Sequence, residues 1–114
     1  SKTYGATSVL LQAFFEIEYL FELPPEAFDP PPQVHSAVLR LRAKDKETVA
    51  GLPIKQFRTL VKTAFGQRRK TLKNALSGLH LPEGVLPDAW KGKRAEQLPV
   101  EAFEAMARSW KANL

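Results

Sequence analysis

With 114 residues, 44% of them hydrophobic, the chain has apolar material for one small core and lacks both the composition of a disordered segment and any internal repeat. It contains no cysteine, which excludes disulfides and thiolate metal sites and suits a reducing cytoplasm, and no apolar run approaches the ~20 residues of a membrane-spanning helix. The net charge of +5 favours an anionic partner, and nucleic acid comes before a membrane because no Trp/Phe-faced amphipathic anchor stands beside the positive charge.

The first residues, SKTY, do not begin a signal peptide, and the only methionine is Met106, which fits either a fragment of a longer protein or an initiator methionine removed before Ser1. Residues 8–15, SVLLQAFF, are apolar almost throughout and read either as a buried helix end or as a helix running into a strand; periodicity does not separate the two. From Glu16 the pattern alternates, with Ile17, Tyr19, Phe21 and Leu23 on one face and Glu16, Glu18 and Glu22 on the other, which predicts a half-buried strand. A second strand is expected over residues 36–42, where Ala37, Leu39 and Leu41 face one way and Val38, Arg40 and Arg42 the other. The acidic face of the first then meets the basic face of the second across an antiparallel pair. Two strands do not make a stable sheet alone, so residues 1–43 read as the closing part of a larger sheet domain whose beginning is missing.

Between the strands, residues 23–36 (LPPEAFDPPPQVHS) hold Pro24, Pro25, Pro30, Pro31 and Pro32. Consecutive prolines fix φ and favour an extended backbone, so this loop is a stiff mount for one projecting side chain, and Phe28 is the candidate. Residues 44–53 are a polar linker ending in Gly51 and Pro53 and mark the expected domain boundary.

Beyond it the charge concentrates. Residues 48–82 carry seven cations and no carboxylate, whereas residues 1–47 hold five cations and seven acids, and residues 83–114 five of each. Phe57, Leu60, Val61, Ala64 and Phe65 follow helical spacing, with Lys55, Arg58 and Lys62 off the apolar stripe. Continued straight, this helix would bury Arg68 on that stripe, which an unpaired guanidinium forbids; Gly66 offers the break, so two helices meeting near Gly66 to Arg68 are expected. Leu72, Ala75, Leu76 and Leu79 form the buried face of the second, ended by Gly78. Residues 80–93 read as a loop anchored by Val85, Leu86 and Trp90, and residues 94–96 as a short turn. A last helix starts at Pro99, with Phe103, Ala107, Trp110 and Leu114 inward, joined by Val100 and Met106.

The six glycines are scattered singly, none opening a G-x-G-x-x-G turn, and His35 and His80 stand without ligand partners at metal spacing, so neither a cofactor loop nor a metal site is expected in this chain. The segment FGQRRKTLKNAL, residues 65–76, instead has the chemistry of phosphate binding. The forks of Arg68 and Arg69 donate paired hydrogen bonds to phosphate, Lys62, Lys70 and Lys73 add charge, and Asn74 supplies a neutral donor one turn after Lys70.

Four stretches in order, YGATSV (residues 4–9), PPEAFDPPPQVHSAVLRL (24–41), FGQRRKTLKNAL (65–76) and RAEQLPVEAF (94–103), together resemble the C-terminal part of the ribosomal RNA adenine dimethyltransferase family, over nearly the whole chain. That resemblance implies a parent enzyme that uses S-adenosylmethionine to dimethylate two adjacent adenosines of small-subunit ribosomal RNA in the cytoplasm during ribosome assembly, on the immature subunit. The cofactor and catalytic motifs would lie upstream, so this chain alone binds no cofactor and carries no catalytic residue. It implies an α+β fragment: residues 1–43 supply the final helix and antiparallel strand pair of a Rossmann-like methyltransferase sheet, and residues 54–114 a small all-α RNA-binding domain. By position, Phe28, with Pro30 and Pro31 beside it, matches the motif whose aromatic ring contacts the flipped target base, and Arg68, Arg69 and Lys70 match the ribosomal RNA contact cluster. Gln33 and His35 depart from the commoner Lys and Asp, so no phosphate role passes to Gln33, and Ala6-Thr7 departs from the usual Tyr-Gly-x-Leu-Ser. The competing expectations are a free-standing helical nucleic-acid module spanning residues 54–79 and a non-enzymatic, transcription-factor-like relative.

Overall fold

Residues 8–15 follow the second of their two open readings, since helix α1 (Ala6–Phe14) passes without an intervening residue into strand β1 (Phe15–Leu23). The computed structural model describes residues 4–27, 30, 36–44, 47–67 and 69–114. The described residues among 4–13 and 47–114 make one compact unit, and those among 14–44 another.

The smaller unit is an antiparallel hairpin of β1 with β2 (Ser36–Ala43). Glu16 pairs with Arg42 and Glu18 with Arg40, so the acidic and basic faces meet as expected, and Arg40 Nη1 donates to Glu18 Oε2 at 3.4 Å. Both side chains of that ion pair are at least half in water, which limits its contribution to under about 1 kcal/mol. The strict alternation expected as far as Leu23 does not hold. Tyr19 pairs with Leu39 but Phe21 pairs with Val38, so Leu20 is an extra residue in the ladder and Phe21 stands opposite Val38 rather than Ala37. A short 3₁₀ turn, Pro25–Ala27, follows β1, its Ala27 N–H donating to the Pro24 carbonyl at 3.0 Å.

In the larger unit, the stretch read as a linker contains a miniature hairpin. Strands β3 (Thr48–Val49) and β4 (Leu52–Pro53) pair antiparallel, and Val49 and Leu52 are buried. The turn residues Ala50 and Gly51 both have positive φ, +52° and +88°, the conformation of a two-residue type I′ loop whose twist matches the strands. The polar composition of residues 44–53 concealed this, because only two apolar side chains secure it.

Helix α2 (Ile54–Phe65) buries Phe57, Leu60, Val61 and Ala64, the stripe its spacing predicts, and ends at Gly66. The expected break is present, but the second helix is shorter and later than expected. Lys70 N–H donates to the Gln67 carbonyl at 3.0 Å, and α3 spans only Leu72–Ala75 before a 3₁₀ turn at Ser77–Leu79. Leu72 and Leu76 are its buried residues, while Ala75 and Leu79 are half-buried. The left-handed residue that stops this segment is His80 (φ +50°), not Gly78, which lies inside the 3₁₀ turn.

The loop region holds a short helix α4 (Asp88–Lys91), with Val85 buried, and a 3₁₀ turn Ala95–Gln97 that the Gln97 side chain closes by accepting from Arg94 N–H at 2.8 Å. Helix α5 (Val100–Ala112), preceded by Pro99, buries Val100, Phe103, Met106 and Ala107. Leu114 does not join that stripe: it lies beyond the last helical turn and is 67% exposed. Phe103 and Phe57 anchor the core, and truncating such a ring costs about 3–5 kcal/mol. Phe65 stacks on Phe103 at 5.5 Å between ring centroids and meets Tyr4 edge-on at 5.8 Å.

Candidate nucleic-acid interface

Helix α2 sorts its residues by the 3.6 period, so burying Phe57, Leu60 and Val61 leaves Lys55, Arg58 and Lys62 exposed on the other face. Lys62 lies in the last turn, where a cation also complements the helix dipole. Arg69 and Lys70 follow as exposed residues of the turn rather than as members of a helix. Lys73 and Asn74 are exposed on α3, opposite the buried Leu72 and Leu76. Arg68 lies outside the described residues, as do Phe28 and Pro31, while Pro30 is exposed.

The fold adds cations that chain order separated from this segment. Leu72 N–H donates to the Lys93 carbonyl at 2.7 Å, which fastens residues 91–94 beside the start of α3. Lys91, Lys93 and Arg94 are exposed there. Averaging over residues 83–114 hid them in a balanced segment; the run Lys-Gly-Lys-Arg at 91–94 was the available signal.

Among the described residues, neither Lys62, Arg69, Lys70 nor Lys73 is paired with a carboxylate. Lys91 alone of this group has a partner, Asp88, at 2.7 Å, and the ammonium beside it holds the Asp88 carboxyl below its usual range. An exposed group of cations of this kind raises the local potential for polyanions and gives binding that falls steeply with salt.

The opposite arrangement occurs on the hairpin, where a depression of about 340 Å³ is lined by Glu16, Glu18, Arg40 and Arg42, so charge is compensated within the face. No group of three or more His, Cys, Asp or Glu that would hold a metal occurs among the described residues. Of the glycines with positive φ, Gly51 turns the β3–β4 hairpin and Gly84 (φ +90°) turns the loop before α4. No helix among the described residues is long and apolar enough to cross a membrane.

Comparison with known proteins gives a consistent picture. The model of the family described as ribosomal RNA adenine dimethylase matches residues 1–107. Ribosomal RNA small subunit methyltransferase A of Parabacteroides distasonis is 49% identical over 106 residues, covering 90% of this chain and 39% of that protein. The protein of the same name from Xanthomonas campestris pv. campestris is 50% identical over 112 residues, covering 94% of this chain and 41% of that protein. The chain thus spans about two fifths of the length of these curated relatives. Among solved structures, a dimethyladenosine transferase from Plasmodium falciparum superposes with a TM-score of 0.65 at 16% identity, over 98% of this chain and 50% of that one. The 23S rRNA methyltransferase ErmE superposes with a TM-score of 0.66 at 20% identity, over 92% of this chain and 46% of that one. At these identities the likeness is one of fold, a mixed α/β architecture shared with methyltransferases.

Proposed function

The chain belongs to the ribosomal RNA adenine dimethylase family, and on that premise we propose that it is the C-terminal portion of an S-adenosylmethionine-dependent enzyme that dimethylates two adjacent adenosines of small-subunit ribosomal RNA during subunit assembly in the cytoplasm. In this reading the hairpin closes the parent's Rossmann-like sheet, and the helical unit binds and positions the RNA. Methyl transfer and cofactor binding belong to residues upstream of those present here. The carrying observation is the unneutralised cationic surface of Lys62, Arg69, Lys70 and Lys73, joined by Lys93 and Arg94. Arg68 extends it by its place in the sequence.

Phosphate contacts fix register and orientation without reading bases, which is what a positioning domain needs. Base contact falls to Phe28 in the proline-rich loop, flanked by Pro30 and Pro31. An aromatic ring stacked on an extruded adenine contributes about 1–3 kcal/mol toward the cost of unstacking it.

The test is methyl transfer by the full-length protein on immature small subunits, measured together with subunit binding over a salt series. Replacing Arg68, Arg69 and Lys70 by Ala is expected to weaken binding and to flatten the dependence of log affinity on log salt; an unchanged slope rejects the contact. Phe28→Ala is expected to lower transfer more than binding, and equal losses reject the stacking role. Absence of transfer by the unaltered protein overturns the enzyme reading.

A further inference from the structure

A shallow groove of about 270 Å³ opens beside the basic surface, where the end of α3 meets the loop leading to α4. Its lining includes Leu76, Leu81 and Leu86, with Lys73 and Lys91 as cations and His80 as the aromatic ring. Small-molecule sites typically enclose ~300–1,000 Å³, so this one has room for a single planar group rather than a whole cofactor.

Three features bear on its occupant. Leu76 is buried and Leu81 and Leu86 half-buried, which gives an apolar floor suited to the face of a ring and too small for a peptide helix. Lys73 continues the cationic surface already described, and Lys91 is two residues from Lys93, whose carbonyl accepts from Leu72, so the groove borders that surface. His80 holds φ +50°, the left-handed turn that ends the α3 segment and sets its ring among the groove's lining residues. Two carboxylates are also near. Glu83 lines the groove and is exposed, able to accept from a base amine or a ribose hydroxyl, and Asp88 engages Lys91 in a surface pair weak enough to exchange for phosphate.

We propose that this groove is a subsite for one unstacked nucleotide of single-stranded RNA, its base lying against His80 and the leucine floor and its flanking phosphates on Lys73 and Lys91. The inference rests on the RNA-binding reading above and deepens it: the basic surface grips backbone, and the groove adds a contact that depends on a base being present. RNA partners splay single-stranded bases onto aromatic side chains in this way.

The test is a fluorescence anisotropy titration of the 114-residue chain with 5′-fluorescein hexaadenylate RNA and with an abasic hexamer of the same backbone, each over a KCl series. The unaltered chain is expected to bind the adenylate about tenfold more tightly than the abasic strand. His80→Gly suits the left-handed backbone and so deletes the ring without disturbing the turn; it is expected to erase that difference and to leave abasic binding unchanged. The pair Lys73→Ala and Lys91→Ala is expected to weaken both strands and to reduce the salt slope by about 1.4, near 0.7 for each phosphate no longer neutralised. Equal binding of the two strands by the unaltered chain, or an unaffected His80→Gly variant, overturns the subsite. Loss of binding only in Arg69→Ala/Lys70→Ala leaves the RNA-binding reading standing without the groove, and affinity unmoved by any of these variants removes both.

Discussion

Tyr4 carries a hydroxyl that is buried without a hydrogen-bond partner among the described residues. Its ring is well placed, edge-on to Phe65, which in turn stacks on Phe103, so packing holds the phenol where its oxygen is unsatisfied. Burial first, and then the charge of Glu101, push its pKa above the ordinary tyrosine value. The folded state therefore binds the phenolic proton more tightly than the unfolded chain does. Its contribution is complete below the unfolded value of about 10 and is lost as pH rises above it. Tyr4→Phe keeps the ring contacts and removes a group whose unpaired burial costs about 1–3 kcal/mol. The variant is expected to be more stable than the parent sequence at neutral pH, by on the order of 1 kcal/mol, and to lose less stability above about pH 10. Urea denaturation at neutral and alkaline pH checks both, and a less stable Tyr4→Phe would mean that the hydroxyl has a partner after all.

At the scale of elements, the β3–β4 hairpin shows what a short apolar pair and a turn can do. Ala50 occupies a left-handed position that favours Asn or Gly, and an L-residue there costs roughly 1–2 kcal/mol. Ala50→Asn is expected to stabilise the chain by up to about 1 kcal/mol, raising the melting temperature by several degrees. Gly51→Ala is expected to lower it, since φ +88° is compounded by an added β-carbon 3.2 Å from Lys111 Cγ. Calorimetry of the two variants tests the turn type, and shifts of the same sign in both would reject it. This hairpin was not legible in the sequence, because two buried residues separated by an Ala-Gly turn lack the length that makes alternation visible. The long elements were legible, α2 from its stripe and β1 from its alternation, because each presents several turns or repeats of one period. The bulge at Leu20 was not, since an extra residue in a ladder leaves no mark on the strand's own pattern. Likewise the cations of the basic turn could be read directly from residues 65–76, whereas Lys93 and Arg94 join them only through a backbone hydrogen bond between residues far apart in the chain.

Across the whole molecule, charge and apolar surface are distributed on different units. The helical unit concentrates unpaired cations over a well-filled core with no buried charged side chain among the described residues. The hairpin unit instead exposes large apolar side chains: Ile17 42%, Tyr19 59%, Phe21 50%, Leu39 50% and Leu41 47%. Single exposed leucines are ordinary, but Ile17 paired with Leu41 and Tyr19 paired with Leu39 on one two-stranded hairpin are a face awaiting cover, with Phe21 exposed beyond the bulge. On the proposed reading that cover is the rest of the parent's sheet domain, and the consequence is a context-dependent mutation. In the 114-residue chain, Tyr19→Lys and Leu39→Lys change residues already half in water, so each is expected to shift stability by less than about 0.5 kcal/mol. In the full-length protein the same substitutions place an ammonium against a packed sheet interior. There a loss of about 2–5 kcal/mol is expected, from the removed packing and the desolvated charge. Denaturation of both lengths with and without each substitution measures the contrast. Small effects in both would show that the hairpin's apolar face stays open to solvent in the intact protein, and would remove the hairpin from the parent's sheet.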